Sequence, residues 1–282
     1  VNCLALQLAM RILHWNILHG GGSRRMPEIV LSLLAHKPDV VVLTEYRITT
    51  GGQIRGVLGD HGLVHQLCTD PPKGKNGVVI ASRWPLVRVP TPELLPAPLH
   101  FRWLDAQIAS ADGDFFLTGV HIPDDSRPSP KAAFWRQMLT LAEKRCAQRH
   151  LFIGDFNTGR HRLDEAGASF GCTALLGAVC TLGYADAFRH FHPERREWTW
   201  LPSTTDRATP ANTGTFASPP SGFRIDSALA SGPLVPLLRA AFYSHSERET
   251  AVSDHSAMLV DLEISALEVK KCADSAPETA IF

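Results

Sequence analysis

A net charge is the first thing this sequence lacks. Its 282 residues hold 28 Lys and Arg against 28 Asp and Glu, so the formal charge is zero and the pI is near 7.3. No global basic field draws a polyanion to it, and any nucleic-acid binding must use a local patch. Long apolar runs are missing too, which excludes a membrane-spanning helix. Cysteine is sparse. Cys3, Cys68, Cys146, Cys172, Cys180 and Cys272 are scattered without metal-type spacing, so neither a disulfide scaffold nor a zinc module is indicated. A reduced, cytoplasmic protein is the expectation. Residues 1–9, "VNCLALQLA", have no basic n-region and read as an extension rather than a signal peptide. The expected layout is that extension, one domain over 10–265, and a frayed tail over 266–282. There is no internal repeat.

What is present is a large apolar supply, 44% of residues, enough for one large core or two small ones. Apolar runs bounded by turn residues recur at 11–17, 40–43, 77–81, 115–122, 151–153, 223–229 and 256–264 and read as buried strands. Residues 101–110, "FRWLDAQIAS", alternate and predict a half-buried strand. Helical periodicity marks 26–37, where Ile29, Val30, Leu33 and Leu34 share a face, and 129–145, with Ser129 as N-cap and Pro130 as N1. A third helix is expected near 172–182. The segment 202–222, rich in Thr, Pro, Ser, Ala and Gly, reads as a large loop. Strand–helix–strand units at 10–43 and 115–153, with many further strands, predict an α/β fold of two packed mixed sheets with helices outside.

Polar residues stand at the strand ends. Asn16 ends "ILHWN", Glu45 ends "VVVLTE", His121 ends "FLTGVH", and Asp155 ends "LFIGD". Asp226 lies in "FRIDSAL", and Asp254 and His255 open the last strand. Strands that end at a rim meet antiparallel strands that start there, so all these groups can share one rim. In "DFN" the i, i+2 spacing places Asp155 and Asn157 on one face of an extended chain. Crowded carboxylates repel unless a cation or shared protons neutralise them. The oxygen-rich donor set favours Mg²⁺ or Mn²⁺ over zinc.

With "LHWN", "LTE", "KGKNGVVIASRWPL", "GVHIP", "IGDFN", "FRIDSAL" and "SDH" in this order, the sequence from about Met10 to Ile264 resembles the endonuclease/exonuclease/phosphatase superfamily. It is most similar to the exonuclease III-like and AP-endonuclease-like branch. The resemblance implies a four-layer α-β-β-α sandwich and a Mg- or Mn-dependent phosphoric ester hydrolase. The implied substrate is nucleic acid, DNA favoured over RNA, cut by an endo- or exonuclease of DNA-repair type acting as a monomer. The implied metal group is Asn16, Glu45 and Asp254. The implied catalytic group is His121 on phosphate, Asp155 on the attacking water, Asn157 beside it, and Asp226 fixing His255. Phosphate or base contacts are assigned to Asn76, Arg160, Arg162 and Phe223. For Asn76 a plain turn role stands equally open, for the "GRHR" arginines a solvated loop, and for Phe223 core or loop packing. The sequence departs from the branch at Leu18, His121 and Ser227, where Asn or Asp, Tyr, and His or Tyr are usual, which weakens abasic-site specificity. Zero net charge keeps a second substrate class open, a phospholipid or small phosphorylated molecule. A non-catalytic binding module on the same fold is a third reading. The set of mutually repelling acids argues against it.

Overall fold

A computed structural model describes residues 9–90, 95, 97–110, 113–125, 130–201 and 222–263. The first half of the chain runs β1 (Ala9–Asn16), α1 (Gly22–Ala35), β2 (Val40–Tyr46), α2 (Ile48–Asp60), β3 (His65–Cys68), β4 (Gly77–Ser82), β5 (Leu86–Val89), β6 (Trp103–Ile108) and β7 (Phe115–His121). The second half runs α3 (Lys131–Arg145), β8 (His150–Asp155), α4 (Thr173–Thr181), β9 (Ala185–Asp186), α5 (Ala187–Phe191), β10 (Asp226–Ala230), β11 (Leu238–Ser244), α6 (Ser246–Glu249) and β12 (Ala257–Glu263).

Two six-stranded mixed sheets result, ordered β11-β12-β1-β2-β4-β3 and β5-β6-β7-β8-β10-β9. Each has one parallel pair at its centre, β1 with β2 and β7 with β8, flanked by antiparallel partners. Those parallel pairs are the two strand–helix–strand units anticipated from the sequence, since parallel neighbours need a crossover and a helix supplies it. Period-two alternation sorts the side chains. In β1, Met10 and Ile12 enter the core between the sheets, while Leu13 and Trp15 face the helices. Met26, Ile29 and Leu33 of α1 and Ile54 and Leu58 of α2 close over the first sheet. Phe134, Trp135 and Met138 of α3 and Leu176 and Val179 of α4 close over the second. The architecture is the expected helix–sheet–sheet–helix sandwich.

Several expectations are corrected. The helical face of α1 buries Ile29 and Leu33 with Met26, and leaves Val30 and Leu34 half-buried. The strand at β6 is buried on both faces, not half-buried. Its outer-face Asp105 accepts from Arg145 of α3 at 2.8 Å and from Thr118 at 2.9 Å, which lets a carboxylate sit under a helix. The strand expected from residue 223 starts at Asp226, and Phe223 makes only isolated bridges with Glu165 and Trp200. Helix α3 begins at Lys131 with Pro130 at its N-cap; Ser129 lies outside the described residues, as does the loop 202–222 except Gly222. Helix α2 escaped sequence reading because Gly51, Gly52, Gly56 and Gly59 lower its propensity. Gly51 is required by packing: a Cβ there would lie 1.9 Å from the Tyr46 ring. The short β3, β5 and β9 carry too little pattern to be read, and in β11 a register shift between Leu238 and Ala240 breaks the alternation. Cys68, Cys146, Cys172 and Cys180 are free thiols, and no helix of the described residues is long and apolar enough to cross a membrane.

Gly51→Ala should destabilise the fold by about 1–3 kcal/mol, because the methyl group forces α2 off Tyr46. Urea unfolding should show a lower midpoint at unchanged slope. An unaltered midpoint would mean the helix shifts freely.

Candidate active site

The apolar core between the sheets turns polar at one end. In β1 the inward parity of Met10 and Ile12 continues to His14 and Asn16. In β8 the parity of Leu151 and Ile153 continues to Asp155, and in β10 that of Ala228 and Ala230 leads back to Asp226. Register does the rest. His121 pairs with Asp155 across β7–β8, and Asp226 pairs with Asp155 across β8–β10, so three polar residues form one cross-strand row. Just before Asp155, Gly154 lets β7 and β8 approach, since a Cβ there would meet the Val120 carbonyl oxygen at 1.9 Å.

Asn16 Nδ2 donates to Asp155 Oδ2 at 3.0 Å. His255 Nδ1 lies 2.8 Å from Asp226 Oδ2, and His14 Nε2 lies 3.1 Å from Asp226 Oδ1. His14 Nδ1 faces the Val42 carbonyl at 3.2 Å, so the ring has an acceptor on each side. The His255 ring is fixed further by its own backbone, whose carbonyl accepts from Trp15 Nε1 at 3.0 Å. From the opposite edge His255 Nε2 looks at Asp155 Oδ2 at 4.0 Å, and His121 Nε2 lies 3.7 Å from the same oxygen. Asp155, Asp226 and His255 thus form a compact buried group whose polar atoms could also hold a cation.

These environments separate the ionisations. Burial, reinforced by Asp226 and Glu45 and opposed by His255 and Asn16, pushes the Asp155 carboxyl up to about 7. Burial alone would lower His255, but the Asp226 carboxylate raises it to about 10. Burial also works against charge on Asp226, yet His255 and His14 hold its carboxyl well below the ordinary range. Burial pushes His121 well below its ordinary value, with Arg102 adding to the effect. At neutral pH the row therefore reads neutral His121, a half-titrated Asp155, and an imidazolium–carboxylate pair.

Glu45 stands on the rim. It sits where the β2–β4 register slips and has a φ of 56°, a left-handed conformation costly for a residue with a Cβ. Leu18, His19 and Asn157 share that conformation, and all four line one cleft of about 830 Å³. Glu45 Oε2 lies 2.7 Å from both the backbone N–H and Nδ1 of His19, and Oε1 lies 4.0 Å from His121 Nε2. Asn76, His121, Asp155, Phe223, Asp254 and His255 also line the cleft. Asn76 bridges His19 Nδ1 at 3.0 Å and Arg47 Nε at 2.9 Å. Phe223 packs edge-on against Phe170 and tilted against Trp200, with centroids at 5.5 and 5.8 Å. Asp226 and Asn16 lie behind the cleft wall.

The structure does not bring every expected residue to the cleft. Arg160 and Arg162 do not line it: Arg160 reaches toward Cys180 on α4, and Arg162, at φ 63°, turns back to the Gly167 carbonyl. Asn157 is not on the extended face of Asp155. The chain turns at Phe156, so Asn157 gives its backbone N–H to Asp155 Oδ1 at 3.1 Å and its side chain to the Ile122 carbonyl at 2.9 Å. Three groups of the site had escaped sequence reading: Arg102 and Trp200 on the cleft wall, and His14 buried behind it. Arg102 stands beside His121 because Trp103 pairs with Val120, and burial lowers its pKa while Asp155, Glu45 and Asp124 oppose that. Trp200 is a wall residue whose Nε1 donates to Asp254 Oδ2 at 3.1 Å. His14 carried a legible signal: it is two residues from Asn16 on the same strand face.

Comparison with known proteins adds the following. A family model described as Endonuclease/Exonuclease/phosphatase family matches residues 13–255. Among solved structures, an AP endonuclease from Archaeoglobus fulgidus superposes with TM-score 0.72 at 18% identity, covering 90% of this chain and 99% of that one. The 3′ phosphatase NExo from Neisseria, bound to a product DNA hairpin, gives 0.70 at 22% identity, with coverage of 90% and 99%. The endonuclease domain of TRAS1, a telomere-specific non-LTR retrotransposon, gives 0.64 at 14% identity, with coverage of 90% and 98%. No curated protein sequence matches. These structural likenesses establish a shared fold.

Asp226→Asn removes the charge that holds His255 protonated. The His255 imidazole should then titrate well below about 10, because only Asp155 and Asp254 remain to oppose burial. Its NMR titration measures this directly, and a value staying near 10 would assign the shift to another group.

Proposed function

Because the chain belongs to the Endonuclease/Exonuclease/phosphatase family, we propose that it is a metal-dependent phosphodiesterase that hydrolyses nucleic-acid phosphodiester bonds, DNA being favoured over RNA. The observation that carries this reading is the pairing, in one cleft, of a buried carboxyl poised near neutrality with an imidazole held charged by a second carboxylate. Hydrolysis of a phosphodiester needs both: a base for water and a positive donor for the charge that develops on phosphorus-bound oxygen.

Asp155, steadied by Asn16 and the Asn157 backbone N–H, accepts the proton of the attacking water. His255, oriented by Asp226, directs its charged Nε2 edge at the phosphoryl oxygens. His121 and Arg102 offer further donors from the neighbouring strand ends. Loss of one such preorganised group typically costs about 2.7–4 kcal/mol of barrier. The donor chemistry fits a divalent cation. Glu45 offers a carboxylate oxygen to the cleft, Asp254 Oδ1 is a buried carboxylate oxygen with no hydrogen-bond partner, and Asn16 Oδ1 has accepted only the Leu18 N–H. An orphaned buried oxygen of this kind calls for a water or an ion. All-oxygen ligands suit Mg²⁺ or Mn²⁺, which would be held by Glu45 and Asp254 with Asn16 adjacent. Bound there, the cation supplies Lewis-acid stabilisation to the phosphate and the leaving oxyanion. By contrast both oxygens of Asp226 are already engaged by histidines, so the Asp155–Asp226–His255 group serves better as base and charge donor than as a cation cage.

Chelation with EDTA should abolish hydrolysis of an oligonucleotide, and Mg²⁺ or Mn²⁺ should restore it. Glu45→Gln should raise the metal concentration for half-activation by tenfold or more. Full activity of that variant without added metal would refute the assignment. The pH profile of kcat/KM should rise through about 7 as Asp155 loses its proton and fall near 10 as His255 loses its own. His255→Gln should erase the alkaline limb. A profile unchanged in that variant would detach His255 from the reaction.

A further inference from the structure

Five successive residues, Leu18 to Gly22, have positive φ, between 47° and 75°. Glycine takes such angles freely, but Leu18 and His19 carry a Cβ and are strained by them. The surroundings enforce the turn. Asn16 Oδ1 accepts the Leu18 N–H at 3.1 Å, Arg25 Nη2 donates to the Leu18 carbonyl at 2.7 Å, and Thr50 Oγ1 donates to the Gly20 carbonyl at 3.1 Å. None of these contacts uses the imidazole of His19, whose side chain is 56% exposed. Glycine in its place would relieve the strain and keep the backbone contacts, so only the ring distinguishes histidine from glycine here.

The ring reaches Glu45, which is itself held at a φ of 56°. Glu45 Oε2 accepts the His19 backbone N–H at 2.7 Å, and His19 Nδ1 lies 2.7 Å from the same oxygen. A bare nitrogen lone pair would be repelled by a carboxylate oxygen at that distance, so Nδ1 carries a proton and donates it. Asn76 Nδ2 also approaches Nδ1, at 3.0 Å, while its amide oxygen is held by Arg47 Nε at 2.9 Å. One nitrogen can serve one partner, and the nearer, charged one prevails. A single residue thus grips Oε2 at two points. Oε1 is left toward the cleft, 4.0 Å from His121 Nε2.

We propose that His19 is the positioning residue of the cation site: it fixes the Glu45 carboxylate through Oε2, so that Oε1 alone is presented to the divalent ion. The proposal rests on the assignment of Glu45 to that ion and deepens it. A carboxylate already held in place loses little rotamer freedom when it binds a metal. Loss of such an outer contact typically weakens metal affinity by about 10–100-fold. The strain at His19 has its reason in this contact, because the turn that costs backbone energy is the one that brings the ring and its own N–H to the same oxygen.

Titration of the full chain with Mn²⁺ alone, followed by electron paramagnetic resonance of the free ion, reads this contact without catalysis. His19→Gly should weaken Mn²⁺ binding by about tenfold or more, while the denaturant midpoint of the metal-free chain stays close to that of the wild type, because glycine suits the angle. His19→Asn, which tolerates positive φ and offers an amide N–H where Nδ1–H stands, should recover most of the lost affinity. The electron spin echo spectrum of bound Mn²⁺ should show the same nitrogen coupling in the wild type and in His19→Gly, since the ring acts through Glu45. Wild-type affinity in His19→Gly would overturn the proposal, and so would His19→Asn binding no better than His19→Gly. Nitrogen coupling that disappears with the ring would make His19 a direct ligand and overturn the positioning role. Failure of the underlying metal assignment looks different: Glu45→Gln would then bind Mn²⁺ as the wild type does, which removes the role of His19 with it.

Discussion

Two carboxylates, Asp155 and Asp226, face each other across β8 and β10 at the polar end of the apolar core, and the rest of the structure answers to that repulsion. Buried charges left unpaired cost several kcal/mol each. The compensation comes from the other sheet: Asn16 and His14 on β1, and His255 just before β12. The two sheets are thereby joined twice, by a dry core along most of their length and by a polar lattice at the rim. The same lattice divides the charge unequally, leaving Asp226 ionised and Asp155 poised. The poise of Asp155 and the joining of the sheets at the rim thus draw on the same polar contacts.

Beneath the rim lies a second device for holding the site. Arg224, fully buried two residues before Asp226, reaches Asp164 at 2.7 Å and Asp186 at 2.5 Å, while Arg189 also binds Asp164. Tyr243 donates its hydroxyl to the Asp226 carbonyl at 2.7 Å. Opposite charges are thus paired off where rigidity is needed, whereas Arg47, Lys75 and Arg88, which line a second cavity beside the cleft, form no ion pair with a carboxylate among the described residues. A zero net charge hides this arrangement, because a sum over the chain carries no positions.

Much of this was legible before the fold was known. Strand ends marked by Asn16, Glu45, His121, Asp155 and Asp226 could be read because alternation fixes which face a residue takes, and a rim shared by antiparallel strands gathers such ends. The two crossover units gave the parallel centres of both sheets. What escaped was set by register and by turns. Arg102 reaches the site only through the pairing of β6 with β7, which no single strand reveals. Asn157 leaves the face of Asp155 because one left-handed residue redirects the chain. Arg160 and Arg162 follow β8 in sequence, yet the chain carries Arg160 toward α4 and Arg162 back to the Gly167 carbonyl, away from the cleft. Helix α2 was hidden by its glycines, which serve packing against Tyr46 rather than helix propensity.

The account stands most directly on Asp155 acting as the base beside a charged His255. Single-turnover hydrolysis of an oligonucleotide in saturating Mg²⁺, wild type against Asp155→Asn, measures that claim, with circular dichroism and thermal unfolding confirming an intact fold. The variant keeps the Asn16 contact and the side-chain volume but cannot take a proton, so the account predicts a fall in rate of at least about a thousandfold at near-native stability. A variant that cuts within tenfold of the wild type would contradict it.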